Sequence, residues 1–279
     1  MNESRTAERV AQRRAVHQLI DRPPVFVDPL AVRILPAEVA RAVAEAPEAF
    51  DQGPLAAYLR AFFAVRSRFA EDELREAVDR GVRQYVVLGA GYDTFAYRNP
   101  FADLRVFEVD HPATQTVKRT RLEHAGIGIP GSVTFVPVDF ATATTRDALV
   151  MSGFDITAPA FFSWLGVIVY LERAAIEGMF AFVGSLPPGT AIAFDYGVPP
   201  ESLGVRARLV IGEMARRVAA IGEPWRTYLS PGEVAAMLGR AGFADIADFG
   251  ATELTARYLA GRADDLRLGE AARLARARV

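Results

Sequence analysis

No cysteine occurs in the 279 residues, so disulfides, thiolate metal sites and a cysteine nucleophile are all excluded. Histidine is scarce. His17, His111 and His124 are the three, and none stands four residues from another as a helical metal site requires. No metal cofactor is expected. Lysine appears once, at Lys118, and the 32 basic residues are balanced by 34 acidic ones to a formal net charge of −2. That balance, with no basic stripe, is not the footprint of a nucleic-acid partner. Long apolar runs are missing too. The longest, residues 159–171 with Ser163 inside it, is too short to span a bilayer. The first residues mix Glu3, Arg5, Glu8 and Arg9 where a secretory leader needs an apolar stretch. A cytoplasmic location with no membrane partner is the expectation that follows, and composition leaves self-association open.

What is present is a change of pattern near residue 80. Before it the chain reads as helical: 3–20 with apolar Ala7, Val10, Ala11 and Leu19, then 37–46, then 55–79 with Pro54 in the first turn. The connector from Arg22 to Pro29 is stiff because its prolines fix φ and push their predecessors to extended geometry. After residue 80, strands at 84–88, 104–109, 132–138, 159–164 and 190–195 alternate with helices at 112–126, 143–150, 172–185 and 201–220. Strands separated by helix-length connections imply βαβ units and a parallel sheet. A helix at 231–240 and a strand near 243–249 follow, and 260–278 reads as an Arg/Ala-rich solvated helix. The expected fold is α/β: a doubly wound, mostly parallel Rossmann-like sheet over 81–279, with an N-terminal helical cap over 1–80 in the same structural unit.

One stretch carries chemistry. The apolar run ending at Leu88 empties into Gly89-Ala90-Gly91, where missing side chains let a ligand approach the backbone. A second strand then ends on Asp110, 21 residues after Gly89. An acidic residue about 20 positions beyond such a turn is placed to accept from the two hydroxyls of a ribose. An adenosine-containing cofactor is therefore expected. The dinucleotide fingerprint needs a third glycine at position 94, and Thr94 stands there with Asp93 before it. An acid beside a pyrophosphate would repel it. An NAD(P)-dependent oxidoreductase is the runner-up reading, and S-adenosyl-L-methionine, which has no phosphate, fits better.

Here a resemblance becomes specific. QYVVLGAGYDTFAYR (84–98) is similar to the strand-turn-helix of the leucine carboxyl methyltransferase family, in its bacterial branch of class I S-adenosyl-L-methionine-dependent O-methyltransferases. The similarity continues through SRTAERVA (4–11), RPPVFVDPLA (22–31), FFAVRSRF (62–69), FEVDHP (107–112), VPVDF (136–140) and FFSWLGVIVYL (161–171). The resemblance implies that Gly89 and Gly91 line the methionine end of the cofactor, Asp110 holds the ribose, and Asp139 with Phe140 flanks the adenine. Arg66 would bind a carboxylate near the reaction centre, and Tyr170 would orient the acceptor. Ala90, Asp93, His111 and Trp164, inside the same motifs, complete the cofactor set. The implied activity is methyl transfer to a carboxylate or hydroxyl oxygen of a small molecule. Leu165 departs from the pattern, because many members carry Glu there, and this keeps a non-catalytic cofactor-binding protein in play.

Each residue also has a plainer reading. Asp110 could cap the helix that begins near Pro112, Asp93 the short helix after it, and Asp139 could be a turn residue. Leu55, Leu59, Phe62, Arg66 and Phe69 step by 4, 3, 4 and 3 residues along one stripe. An arginine on an apolar stripe demands a fixed anion, whether ligand or salt-bridge partner. Tyr92 and Tyr196 stand near strand ends where α/β ligands bind. If the acceptor were an alcohol it would need a base, and His17 or a perturbed tyrosine are the few candidates.

Overall fold

Residues 84–88 form a strand buried along its whole length, as a continuous apolar run requires when both faces of a sheet are covered. In the computed structural model, which describes residues 5–53, 55–139, 144–264 and 266–279, this strand is β1 of a seven-stranded sheet. Ahead of it come three helices, α1 (Arg5–Ile20), α2 (Ala37–Glu45) and α3 (Ala56–Asp79). Pro54 lies outside the described residues. After β1 (Gln84–Leu88) follow β2 (Arg105–Asp110), α4 (Pro112–His124), β3 (Val133–Pro137), α5 (Thr145–Met151), β4 (Phe161–Trp164), α6 (Arg173–Gly184) and β5 (Ala191–Gly197). The chain closes with α7 (Val205–Ala220), α8 (Pro231–Arg240), β6 (Asp245–Phe249), α9 (Ala251–Tyr258) and β7 (Ala272–Arg278). Among the described residues no helix is long and apolar enough to cross a membrane.

The sheet order is β3-β2-β1-β4-β5-β7-β6. β1 through β5 pair in parallel, and β7 runs antiparallel to both β5 and β6. The fold is thus the expected Rossmann-like, mostly parallel one. The strand order reverses between β1 and β4, and in open α/β sheets ligands bind beyond the strand C-termini at that switch point.

Alternation along each strand divides the core. Phe162, Trp164 and Phe194 face α6 and α8, where Phe180, Val183 and Leu238 are fully buried. Tyr85, Val87 and Phe161 face the other way, onto Phe69 and Leu74 of α3. α3 therefore packs on the sheet itself, while α1 packs on α3 and shares a third core with Ile34, Tyr92 and Leu122. The stiff connector is tied in by Asp28, buried with its carboxylate between Thr94 Oγ1 (2.7 Å), Leu30 N (3.0 Å) and Arg14 Nε (2.9 Å). The single lysine is sealed as well. Lys118 of α4 is 1% exposed, with Nζ 2.8 Å from Glu108 Oε2, and the Tyr97 hydroxyl donates to that same oxygen at 2.9 Å. Burial pushes the Glu108 carboxyl up, with Lys118 pulling the other way.

One expected element is corrected. The segment 260–278 is not a solvated helix: residues 272–278 are β7, inserted between β5 and β6. Leu274, Arg276 and Arg278 share one face, and the two arginines meet Glu73 of α3, which is 4% exposed (3.5 Å in each case). Ala275 and Ala277 bury the opposite face. Arginine and alanine favour helix locally; here a buried anion some two hundred residues earlier overrides that preference. α9, which binds Glu73 through Arg257 (3.3 Å), was not foreseen either.

Candidate functional site

At the end of β1 the chain reverses with Gly89 at φ +67° and Gly91 at φ +45°, a left-handed geometry that favours glycine. A Cβ on Gly89 would stand 2.3 Å from Val167 Cγ2, so the position also has no room for one. The amides of Gly89 and Ala90 both donate to Val109 O (2.8 and 3.1 Å), which welds the turn to β2. Gly91 N donates to Asp110 Oδ2 at 2.5 Å, and His111 N to Asp110 Oδ1 at 2.6 Å. The carboxylate is thus fixed at the lip of the turn with two of its roughly four lone-pair sites engaged. Burial pushes the Asp110 carboxyl above its usual range, and the Gly91 and His111 amides oppose that.

These residues wall a cleft of about 240 Å³ at the C-terminal ends of β1, β2 and β4. Its far wall is Leu165, Gly166 and Val167, its roof is Thr6, Ala7 and Val10 of α1, and Arg66 and Tyr170 line it too. Arg66 is 7% exposed, with Nη1 3.1 Å from Asp195 Oδ2, so the fixed anion its stripe demanded is a side chain of β5. Tyr170 ends a short turn, Ile168–Tyr170, after β4. Burial raises its hydroxyl above the ordinary phenol range; Glu223 adds to that, while Trp225, Thr6 and Arg66 pull the other way. Nearby, Thr6 donates through both Oγ1 and its backbone amide to Glu223. The first turn of α1 and the loop after α7 therefore meet over Tyr170.

The structure brings Arg66, Gly89, Ala90, Gly91, Asp93, Asp110 and Tyr170 to one cleft. Asp93 keeps its plain task in addition, since its Oδ1 accepts from Phe95 N at 2.8 Å. Three expected residues stand elsewhere, and a fourth is not described. Trp164 departs from its expected place among the cofactor contacts: β4 alternates, so Ser163 faces the cleft and Trp164 the opposite core, edge-on to Phe180 at 5.8 Å. The His111 ring accepts from Ala113 N (3.2 Å) and caps α4, leaving its backbone amide as its link to the site. Asp139 is half-buried two residues beyond β3 and is not in the cleft wall, and Phe140 lies outside the described residues.

Two further candidates are corrected. His17 is fully buried in the cap, where Nε2 accepts from Val25 N (3.0 Å) and Phe26 N (3.2 Å) and Nδ1 faces Asp21 Oδ2 at 2.6 Å. An imidazole so committed is no base for the cleft. Tyr196, next to Asp195 on β5, points to the opposite face of the sheet, is buried in the core with Trp164 and Phe194, and donates to Asp248. Tyr92 does line the cleft, with the Arg121 guanidinium 4.0 Å from its ring centroid. Sequence reasoning missed Arg14, a cleft residue only 6% exposed that donates to Tyr92 O. Its signal was available: Ala7, Val10, Ala11 and Arg14 form a stripe of the kind that marked Arg66.

Comparison with known proteins adds the following. The family model for leucine carboxyl methyltransferase matches residues 7–184. A Bacillus subtilis protein provisionally named S-adenosyl-L-methionine-dependent methyltransferase YktD is 35% identical over 207 residues, covering 72% of this chain and 67% of its own. A Mycobacteroides abscessus protein with the same provisional description is 33% identical over 213 residues, covering 75% and 70%. Among solved structures, one from Thermobifida fusca, provisionally a methyltransferase, has a TM-score of 0.57 at 20% identity and covers 93% of this chain and 98% of its own. A DUF574 family protein from Streptomyces avermitilis has a TM-score of 0.55 at 19% identity, covering 89% and 96%. At these identities the two structures share the fold.

Proposed function

Because the chain belongs to the leucine carboxyl methyltransferase family, we propose that it transfers a methyl group from S-adenosyl-L-methionine to an oxygen of a small-molecule acceptor. The observation that carries the choice of cofactor is where the turn's amides go. Those of Gly89 and Ala90 are bound to Val109 O, that of Gly91 to Asp110, and that of Asp93 to Ala90 O. A dinucleotide pyrophosphate is cradled by free amides at this place, and here these four are engaged, with an acid alongside. What the lip offers instead is a carboxylate with two open acceptor sites, which suits the paired hydroxyls of a ribose.

In this reading Asp110 holds the ribose, Gly89, Ala90 and Gly91 pass beneath the sulfur and the amino-acid end, and Arg66 takes the carboxylate. Asp93 faces the cationic portion, and the family resemblance assigns the adenine to Asp139, just beyond β3 and outside the described cleft wall, together with Phe140. S-adenosyl-L-methionine supplies an electrophilic methyl on a positive sulfur. Tyr170, held protonated by burial, donates a hydrogen bond that orients the incoming oxygen in line with that methyl. A carboxylate acceptor is ionised at neutral pH, its pKa being about 4, so no base need remove a proton. That matches a cleft whose wall holds Asp93, Asp110, Tyr170 and arginines, with His17 engaged elsewhere. The acceptor is bound by residues 1–80 and by the loop after α7, which meet at Thr6 and Glu223.

A thermal-shift panel tests the reading. S-adenosyl-L-methionine and S-adenosylhomocysteine should raise the unfolding midpoint by mass action, and NAD and NADP should leave it unmoved. A shift with NAD or NADP alone would reverse the assignment.

A further inference from the structure

Asp195 lies on β5, is 8% exposed, and has no part in the chemistry above. A carboxylate so far from water is costly unless its lone pairs are used, and the use made of these is specific. Oδ1 accepts from the backbone amide of Gly166, and Oδ2 stands 3.1 Å from Arg66 Nη1. The register explains the reach: Trp164 pairs with Phe194, so the chain leaves β4 at Leu165 and Gly166 just where β5 still continues to Asp195. One acid therefore joins the segment that forms the far wall of the cleft to the arginine that lines it.

The guanidinium is confined from two more directions. Gly166 has φ +70°, and a Cβ there would be 2.8 Å from Nη1, so only a bare backbone lets the group lie against it. On another side Cζ stands 4.7 Å from the Phe63 ring centroid. Among the described residues the Nη1 contact with Asp195 is the one hydrogen bond that ties this guanidinium to protein. Its other N–H groups are thereby held in one orientation beside the cleft.

We propose that Asp195 is a positioning residue: by clamping Arg66 against Gly166 it presets the guanidinium to grip the carboxylate of the cofactor's amino-acid end. This rests on the reading that the cleft holds S-adenosyl-L-methionine. A merely structural ion pair would support both ends of the cofactor alike, whereas a positioning role is confined to the end that Arg66 touches.

The test compares two probes by calorimetry. S-adenosylhomocysteine carries the amino-acid end; 5′-methylthioadenosine keeps the adenosine and sulfur but lacks that end. The natural protein should bind both. Asp195→Asn should lose on the order of tenfold or more in affinity for S-adenosylhomocysteine while 5′-methylthioadenosine changes by less than about twofold. Arg66→Gln should show the same selective loss, and the double variant no more than either alone, because the two act as one unit. Equal weakening of both probes, or no loss of S-adenosylhomocysteine, overturns the positioning role while leaving the cofactor reading intact. Should Asp195→Asn not fold, Asp195→Glu keeps the charge and displaces the guanidinium by a methylene; a partial loss confined to S-adenosylhomocysteine supports the role, and an unchanged ratio overturns it. If the natural protein binds neither probe, the cofactor reading and this inference fall together.

Discussion

Gly91 donates its amide to Asp110 across 2.5 Å, so the turn after the first strand and the acid ending the second are one unit. The unit places an acceptor pair beside the cleft, and its loss is directly readable. Asp110→Ala should abolish the thermal shift given by S-adenosyl-L-methionine while the protein stays folded. A retained shift would remove Asp110 from the ribose.

The same acid predicts a pH dependence. Burial raises the Asp110 carboxyl in the free protein, with Gly91 and His111 opposing. A raised acid takes up its proton earlier as pH falls, and only the ionised form accepts from two hydroxyls. Affinity for S-adenosylhomocysteine should therefore decline on the acid side beginning above the ordinary aspartate value of 3.8. The sign for stability is opposite: the proton bound in the folded state favours folding as pH falls through that region. Calorimetric titration across pH, with Asp110→Asn as the variant that lacks the dependence, checks both.

Gly89→Ala should destabilise the fold by about 2 kcal/mol or more, combining a left-handed φ with a clash against Val167. That corresponds to a fall of roughly 4–8 °C in the unfolding midpoint for a chain of this size. Gly91→Ala, whose Cβ would meet Ala7 at an ordinary 3.5 Å, should cost less. Equal effects would mean that Val167 yields.

His17→Ala should lower stability by about 1–3 kcal/mol, because two buried amides lose their acceptor. Affinity for S-adenosylhomocysteine in the folded fraction should stay the same. A selective loss of turnover with unchanged stability would return His17 to the reaction.

Glu73→Gln leaves Arg257, Arg276 and Arg278 around a neutral amide in a buried setting. The expected loss is roughly 2–3 kcal/mol, read by chemical denaturation, on the principle that breaking a buried charge cluster exceeds its net worth.

Much of this was legible in residues alone, for identifiable reasons. β1 is buried on both faces, so its sequence is an unbroken apolar run, and its bounds at 84–88 could be read directly. Gly89, Gly91 and Asp110 follow from a turn and a spacing, both local properties. β7 was opaque because its arginines look helical until Glu73 is brought to them from α3. Trp164 was misplaced because a motif names a segment without saying which side of the sheet each member faces. Asp195 carried no mark at all, since its meaning depends on the register of two strands.

The buried Lys118–Glu108 pair has a practical corollary. The chain has no second lysine, so the folded protein offers amine-reactive reagents no accessible side-chain amine. Acylation at that position would then proceed only as fast as the molecule opens, making a single nitrogen a built-in clock for breathing of the sheet against α4.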